Sequence, residues 1–319
     1  VAVSSKGAAN ADAPRAESKE PYLKDPLGNL LKKYDKADPT ADLSGAEFKL
    51  TYYGSKNIAE NAVGGAQAEK SWVFRTNRDG VIDYKPEYKV SGDNLWDHNE
   101  LHLGTYTLQE IKAPIKYTTK GKIVLTNGHE YNLRNPFYFR IQENGTTGVE
   151  NVDNHEDAFT KETDTNGHSV FIKVYEVRKR GKFSVHKLDK DSNTGEAQGD
   201  ADSMKWSGKV YASQDHTWVD LNNNEDVDKG EVFQKDQEVF SFETDDNGQY
   251  TTPNFIFGYG AYYIKEVSHP TGYKTSNQIL RFNITEDNQT VEALDDANKK
   301  LTDEIFRGAF NFTKFDADS

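Results

Sequence analysis

The chain has 319 residues, 39 basic against 52 acidic side chains, a formal net charge of −13 and no cysteine. Two domains of ordinary size fit that length, each able to bury its own core. So acidic a chain repels phosphate backbones and anionic lipid surfaces, which argues against nucleic acid and membranes as partners. Without cysteine there is no disulfide to staple it, and no apolar run is long enough to cross a bilayer.

Aromatic residues make up 12% of the chain, with 17 Tyr and 17 Phe against a single Met, which favours strand-rich cores. Residues 1–22 are rich in Ala, Ser, Lys and Glu without an apolar stretch, and read as a flexible N-terminal tail rather than a signal peptide. From there on the hydrophobic period is two. Phe48 and Leu50 face away from Glu47, Lys49 and Thr51; Tyr106, Leu108 and Glu110 share a face; so do Phe183, Val185 and Lys187, and Tyr262, Ile264 and Glu266. Turn clusters separate these runs at Asn77–Gly80, Asn127-Gly128, Asn166-Gly167 and Asp245–Gly248. The pattern predicts an all-β chain of antiparallel β-sandwiches.

The chain also repeats itself. Gly104-x-Tyr106-x-x-x-Glu110-x-x-x-Pro114-x-x-Tyr117 recurs as Gly260-x-Tyr262-x-x-x-Glu266-x-x-x-Pro270-x-x-Tyr273. Upstream, Lys33-x-Asp35 answers to Lys187-x-Asp189, Ser44-Gly45 with Phe48 to Ser207-Gly208 with Tyr211, and Phe74-x-Thr76 with Gly80 to Phe242-x-Thr244 with Gly248. The lysine and the glutamate stand 77 residues apart in one unit and 79 in the other. The expected units are 23–180, with a long insertion at about 118–168, and 181–306. Residues 307–319, from Gly308 through Phe310, Phe312 and Lys314, read as the start of a truncated third repeat, so the chain reads as a piece of a longer tandem array.

Alternation turns Lys33, Lys187, Glu110 and Glu266 inward. An inward charge without a partner costs several kcal/mol, and desolvation drives an amine and a carboxyl toward their neutral forms. A neutral amine is a nucleophile and a protonated glutamate can shuttle protons. A carboxyl or carboxamide from another strand, held in contact, would complete the set for an amide bond between side chains.

The order Lys-x-Asp, Gly with an aromatic, Thr…Gly, then Gly-x-Tyr-x-x-x-Glu-x-x-x-Pro-x-x-Tyr resembles the Cna B-type (collagen-adhesin B-type) domains of Gram-positive surface adhesins and pilins. The resemblance covers residues 30–319 apart from the insertions. It implies tandem Ig-like or prealbumin-like sandwiches in which the opening lysine bonds autocatalytically to a last-strand Asn or Asp, promoted by the glutamate. That acceptor lies five residues before the glycine that opens the next domain, which makes Asp303 the partner of Lys187, with Glu266 as proton shuttle. In the first unit the same position is Glu176, one methylene longer than the usual acceptor. A plain Lys33–Glu110 salt bridge is the expectation there, with a Lys33–Glu176 bond promoted by Glu110 as the alternative. The implied function is a structural or adhesive stalk outside the cell, wall-anchored, linked by a sortase to wall or pilus subunits and open to a host matrix protein or glycan. Such a protein is not a turnover enzyme and requires no cofactor. Two rival readings are a ligand-binding module for host glycoprotein or polysaccharide, and accessory sandwiches of an extracellular glycosidase.

One loop stands apart. Asp220, Asn222, Asn224, Asp226, Asp228 and Glu231 occupy the ligand positions of a calcium loop, with Glu225 where glycine normally makes the turn. The expectation is either calcium or an acidic hairpin loop. His98 and His102 read as loop histidines rather than a zinc pair, and the four tryptophans as core or edge packing rather than a sugar platform.

Overall fold

The computed structural model describes residues 30–99, 101–125, 127–141, 149–150, 172–199, 201–309 and 311–315. The expected tail at 1–22 lies outside them. The first half of the chain forms β1 (Leu31–Tyr34), β2 (Glu47–Tyr52), β3 (Lys70–Arg75), β4 (Val81–Ile82), β5 (Lys89–Gly92), β6 (Gly104–Lys112), β7 (Lys122–Val124), β8 (Glu130–Asn132), β9 (Phe137–Ile141), β10 (Val149–Glu150) and β11 (Lys173–Tyr175). The second half forms β12 (Arg180–Asp189), β13 (Ser207–Ala212), β14 (Thr217–Trp218), β15 (Val232–Phe233), β16 (Glu238–Glu243), β17 (Gln249–Thr251), β18 (Phe257–Gly258), β19 (Gly260–Ser268), β20 (Ile279–Ile284), β21 (Gln289–Glu292) and β22 (Leu301–Asp303). A four-residue helix, Glu60–Val63, is the one α-helix among the described residues.

Period-two alternation turns one face of each strand to a core, and two such cores form. In the first, a five-stranded sheet (β4-β1-β11-β7-β8) covers a six-stranded sheet (β10-β9-β6-β2-β3-β5). Phe48, Leu50, Trp72, Phe74, Tyr106, Leu108 and Phe139 fill the space between. In the second, β12 pairs with β17, β18, β21 and β22 and faces the sheet β16-β13-β19-β20. Phe183 sits at its centre, its ring 4.9 Å from Phe282 and 5.3 Å from both Phe242 and Phe257. Both halves use the same central pairing, β2 with β3 and β6, and β13 with β16 and β19, all antiparallel.

In each half the first and last strands run parallel. Lys33 lies opposite Val174, and Lys187 opposite Leu301. Parallel neighbours cannot be joined by a tight turn, so the rest of each sandwich lies between them.

Two details go beyond the sequence expectation. Part of the expected insertion belongs to the sandwich: β7 and β8 form a hairpin on the edge of the first sheet, and β9 pairs with β6 as β20 pairs with β19. Residues 142–148 and 151–168 of that insertion lie outside the described set. The described residues of 307–319 form no strand, and Phe312 and Phe315 are exposed.

Phe183→Ala should therefore cost about 3–5 kcal/mol in chemical denaturation of the second sandwich. Phe315→Ala, at an exposed position, should stay within about 0.5 kcal/mol.

Candidate functional site: a lysine between two carboxylates

β12 alternates inward at Phe183, Val185 and Lys187, so the lysine enters the core at the end of an apolar row. Its Nζ lies 2.6 Å from Asp303 Oδ2 and in contact with Glu266 Oε1, and all three side chains are fully buried. Asp303 reaches the amine because β22 runs parallel to β12: Leu301 is opposite Lys187, and Asp303, two residues on, shares the same face. Glu266 comes from β19 in the other sheet, and its Oε2 accepts a hydrogen bond from the Ser276 N–H at 2.6 Å. The Trp206 ring lies 4.9 Å from Nζ and walls the amine from water.

The first sandwich repeats the arrangement. Lys33 Nζ is 2.7 Å from Glu176 Oε1 and in contact with Glu110 Oε1, again with all three side chains fully buried. Glu110 Oε2 accepts the Gly121 N–H at 3.2 Å, and the Phe48 ring lies 5.1 Å from the amine. Lys33 thus contacts both glutamates, not Glu110 alone. The longer Glu176 side chain enters from the same register as Asp303, because Val174 opposite Lys33 fixes it.

Electrostatics set the proton inventory. Burial pushes the Glu176 carboxyl up to about 8, against the pull of Lys33 and with Glu110 adding to the rise. Burial likewise pushes Asp303 up to about 6, against Lys187 and with Glu266 adding. Burial works against the charge on Lys33, but Glu176 and Glu110 outweigh it and hold the amine above its ordinary value. Among the described residues, Asp303 Oδ1 and Glu176 Oε2 find no hydrogen-bond partner. Each pocket therefore holds one amine and two carboxyls, of which the acceptor is driven toward its neutral acid.

Two glycines complete the pockets, and the repeat alone pointed to them. Gly80 and Gly248 close their turns at φ +74° and +72°. Their carbonyls accept the Lys33 and Lys187 N–H groups, each at 2.9 Å. A Cβ on Gly80 would stand 2.9 Å from Lys33 O, and one on Gly248 would stand 3.1 Å from Lys187 O. The conserved spacing from Thr to Gly between the two units is thus the backing of the lysine strand. The aspartate of each Lys-x-Asp closes the turn after that strand: Asp35 accepts the Ala37 N–H at 2.8 Å, and Asp189 accepts the Ser192 N–H at 2.7 Å.

The other sequence candidates are placed as follows. In the 220–231 loop, Asp220 is buried and accepts Asn224 N–H and Glu225 N–H while touching Arg180. Glu231 accepts the Asn222 and Asp228 N–H groups, and Asp228 accepts both asparagine amides, from Asn222 at 2.7 Å and Asn224 at 2.8 Å. Asp226 faces Lys36. These oxygens are turned to protein donors, and the described residues contain no group of three or more His, Cys, Asp or Glu arranged to hold a metal ion. His102 stacks on Trp96 at 3.9 Å, while Trp72, Trp206 and Trp218 are core residues.

An all-β protein with prealbumin-like sandwiches is what this fold defines. The sequence profile of the SpaA prealbumin-like fold domain matches residues 30–135 and 217–299, more than half of the chain, and the chain belongs to that family. Lys33, Glu110 and Glu266 fall inside the matched segments. No curated protein matches the chain. Among solved structures it is similar to the Bacillus anthracis TIE protein, with 16% identity over 86% of this chain and 33% of that one, at a TM-score of 0.42. It is similar to a streptococcal ancillary pilin, with 17% identity over 86% of this chain and 61% of that one, at 0.26. A C-terminal fragment of the pilus adhesin SpaC from Lactobacillus rhamnosus GG gives 14% identity over 88% and 98%, at 0.32. The chain spans a third of the TIE protein and about three fifths of the ancillary pilin.

Gly248→Ala should destabilise the second sandwich by more than about 1 kcal/mol, through the strained φ and the push against the Lys187 backbone. Thermal melts check this. A pH series tests the first pocket. While Lys33 and Glu176 stay unjoined, the folded state keeps the Glu176 proton up to about 8 and the unfolded chain releases it near the ordinary 4.5. Stability is then fully present below 4.5 and falls by a few kcal/mol as pH rises to about 8. Glu176→Gln should flatten that slope.

Proposed function

We propose that this chain is part of the stalk of a Gram-positive surface adhesin or pilin-like protein, stiffened by a self-made amide between Lys187 and Asp303. The observation that carries the reading is Nζ of Lys187 held 2.6 Å from the Asp303 carboxyl, against Glu266, with all three side chains shielded from water. The chemistry balances within the triad. Lys187 gives a proton to a neighbouring carboxylate and becomes a neutral amine. The amine attacks the Asp303 carboxyl carbon. Glu266 carries protons to the departing oxygen, which leaves as water, and a C–N bond replaces a C–O bond. The same placement of Lys33, Glu110 and Glu176 supports a second crosslink in the first sandwich.

The tie would span 116 residues. Constraining the unfolded chain over that length is worth roughly 4–5 kcal/mol if it acts as a disulfide does. It also joins the first strand to the last, where tension enters a tandem array, so load bypasses the hydrogen-bond ladder. A cysteine-free protein outside the cell gains resilience this way. Attachment to the wall or to neighbouring subunits through a sortase, and contact with a host matrix protein or glycan, belong to the full-length protein on this reading.

Proteolytic mapping tests it. Wild-type protein should yield a branched peptide joining the segments around Lys187 and Asp303, and Glu266→Ala should yield the two linear peptides instead. Lys187→Ala should lower the melting temperature of the second sandwich by on the order of 10–20 °C. Linear peptides alone from the wild type would remove the crosslink.

A further inference from the structure

The segment that joins the two sandwiches carries two arginines, and both are held by residues far away in sequence. Arg178 donates from Nε and Nη2 to Asp35 Oδ2, at 2.9 and 2.7 Å, and from Nη1 to the main-chain oxygen of His216 at 2.9 Å. Asp35 follows β1 of the first sandwich; His216 precedes β14 of the second. Tyr117 donates to the same Asp35 oxygen at 2.5 Å. His216 has φ +56°, a conformation that a non-glycine residue adopts at some cost, and its ring lies 3.9 Å from Asp38. Arg180 touches Asp220 and donates to Asn223 at 3.1 Å and to Glu225 at 2.7 Å. The acidic loop thus held sends Asp226 to within 3.4 Å of Lys36 and 3.9 Å of Lys122, both in the first sandwich.

We propose that these groups form a latch that fixes the second sandwich on the first, with Arg178 at its centre and the 220–231 loop at its rim. Arg178 and Asp35 are buried, with side chains only 6% and 2% exposed. A buried guanidinium is tolerated when each of its donors is satisfied, and here one acceptor comes from the other sandwich. Separating the two would strand that donor.

The repeat shows that the arginine is not needed to build a sandwich. Arg178 bridges to Tyr117, and the corresponding bridge in the second unit is between Tyr273 and Ile305. There Asp189, the counterpart of Asp35, accepts the Asp191 and Ser192 N–H groups and the Gln198 amide on Oδ1, while its Oδ2 has no hydrogen-bond partner among the described residues and no arginine reaches it. One sandwich folds with isoleucine at this position; the other has an arginine that reaches across the junction. The latch goes beyond the crosslink and does not depend on it, since orientation and covalent mass are separate readouts.

The chain lacks cysteine, so Ser91→Cys and Ser241→Cys, at exposed strand positions of the two sandwiches, give a unique pair of spin labels. Pulsed electron–electron distance measurement on the whole chain should give one narrow distribution in the parent. Arg178→Ile, which installs the second unit's residue, should broaden it severalfold, with the circular dichroism spectrum unchanged. Arg178→Lys retains a charge for Asp35 but lacks the fork that also reaches His216, and should broaden it as well. His216→Gly should leave it narrow, because the contact is to the main chain and glycine accepts positive φ. A folded Arg178→Lys protein with the parent's narrow distribution would overturn the latch, whatever the fate of Arg178→Ile.

Discussion

A lysine ammonium shut between two carboxyls, out of reach of water, is the constraint around which each half of this protein is arranged. The amine enters the core because strand alternation continues one step past an apolar row, from Phe183 and Val185 to Lys187. It is tolerated there only because acids arrive from two directions. Glu266 crosses from the opposite sheet and Asp303 comes from the strand alongside. The parallel pairing of first and last strands fixes the second of these, since an antiparallel partner would offer a different residue. Glycine at the neighbouring turn lets the lysine backbone be gripped, and an aromatic ring closes the side. Removing both acids would leave a buried charge uncompensated, a far larger loss than the weakening of a surface ion pair.

Much of this was legible in one dimension. Period two gave the strands, and the duplicated Gly-Tyr-Glu-Pro-Tyr run gave the tandem organisation. The same run aligned Lys33 with Lys187 and Glu110 with Glu266. The resemblance to Cna B-type domains, counted back from Gly308 and Gly181, picked out Asp303 and Glu176, which the fold brings to the two amines. The expectation of a simple Lys33–Glu110 pair was too narrow. Side-chain length is visible in a sequence, but whether a pocket accommodates one more methylene depends on where the strand backbones lie. In the 220–231 loop the sequence shows the spacing of the oxygen-bearing residues but not the contact of Asp220 with Arg180, 40 residues earlier. Arg178 was invisible for the same reason: its partners lie in two different sandwiches.

The two halves solve one problem with different residues. In the second, the acceptor is an aspartate whose carboxyl is raised to about 6; in the first, a glutamate is raised to about 8. Both are shifted chiefly by burial, and both keep an oxygen without a hydrogen bond among the described residues. On the proposed function, tension along a tandem array would reach the first and last strands of each unit first, and an amide between them would carry it.

The most direct check of this account is the intact mass of the purified 319-residue chain under denaturing conditions. The account predicts a mass below that of the sequence by one water for the Lys187–Asp303 amide, and by a second where Lys33 and Glu176 have also condensed. A mass equal to that of the uncondensed sequence would contradict it.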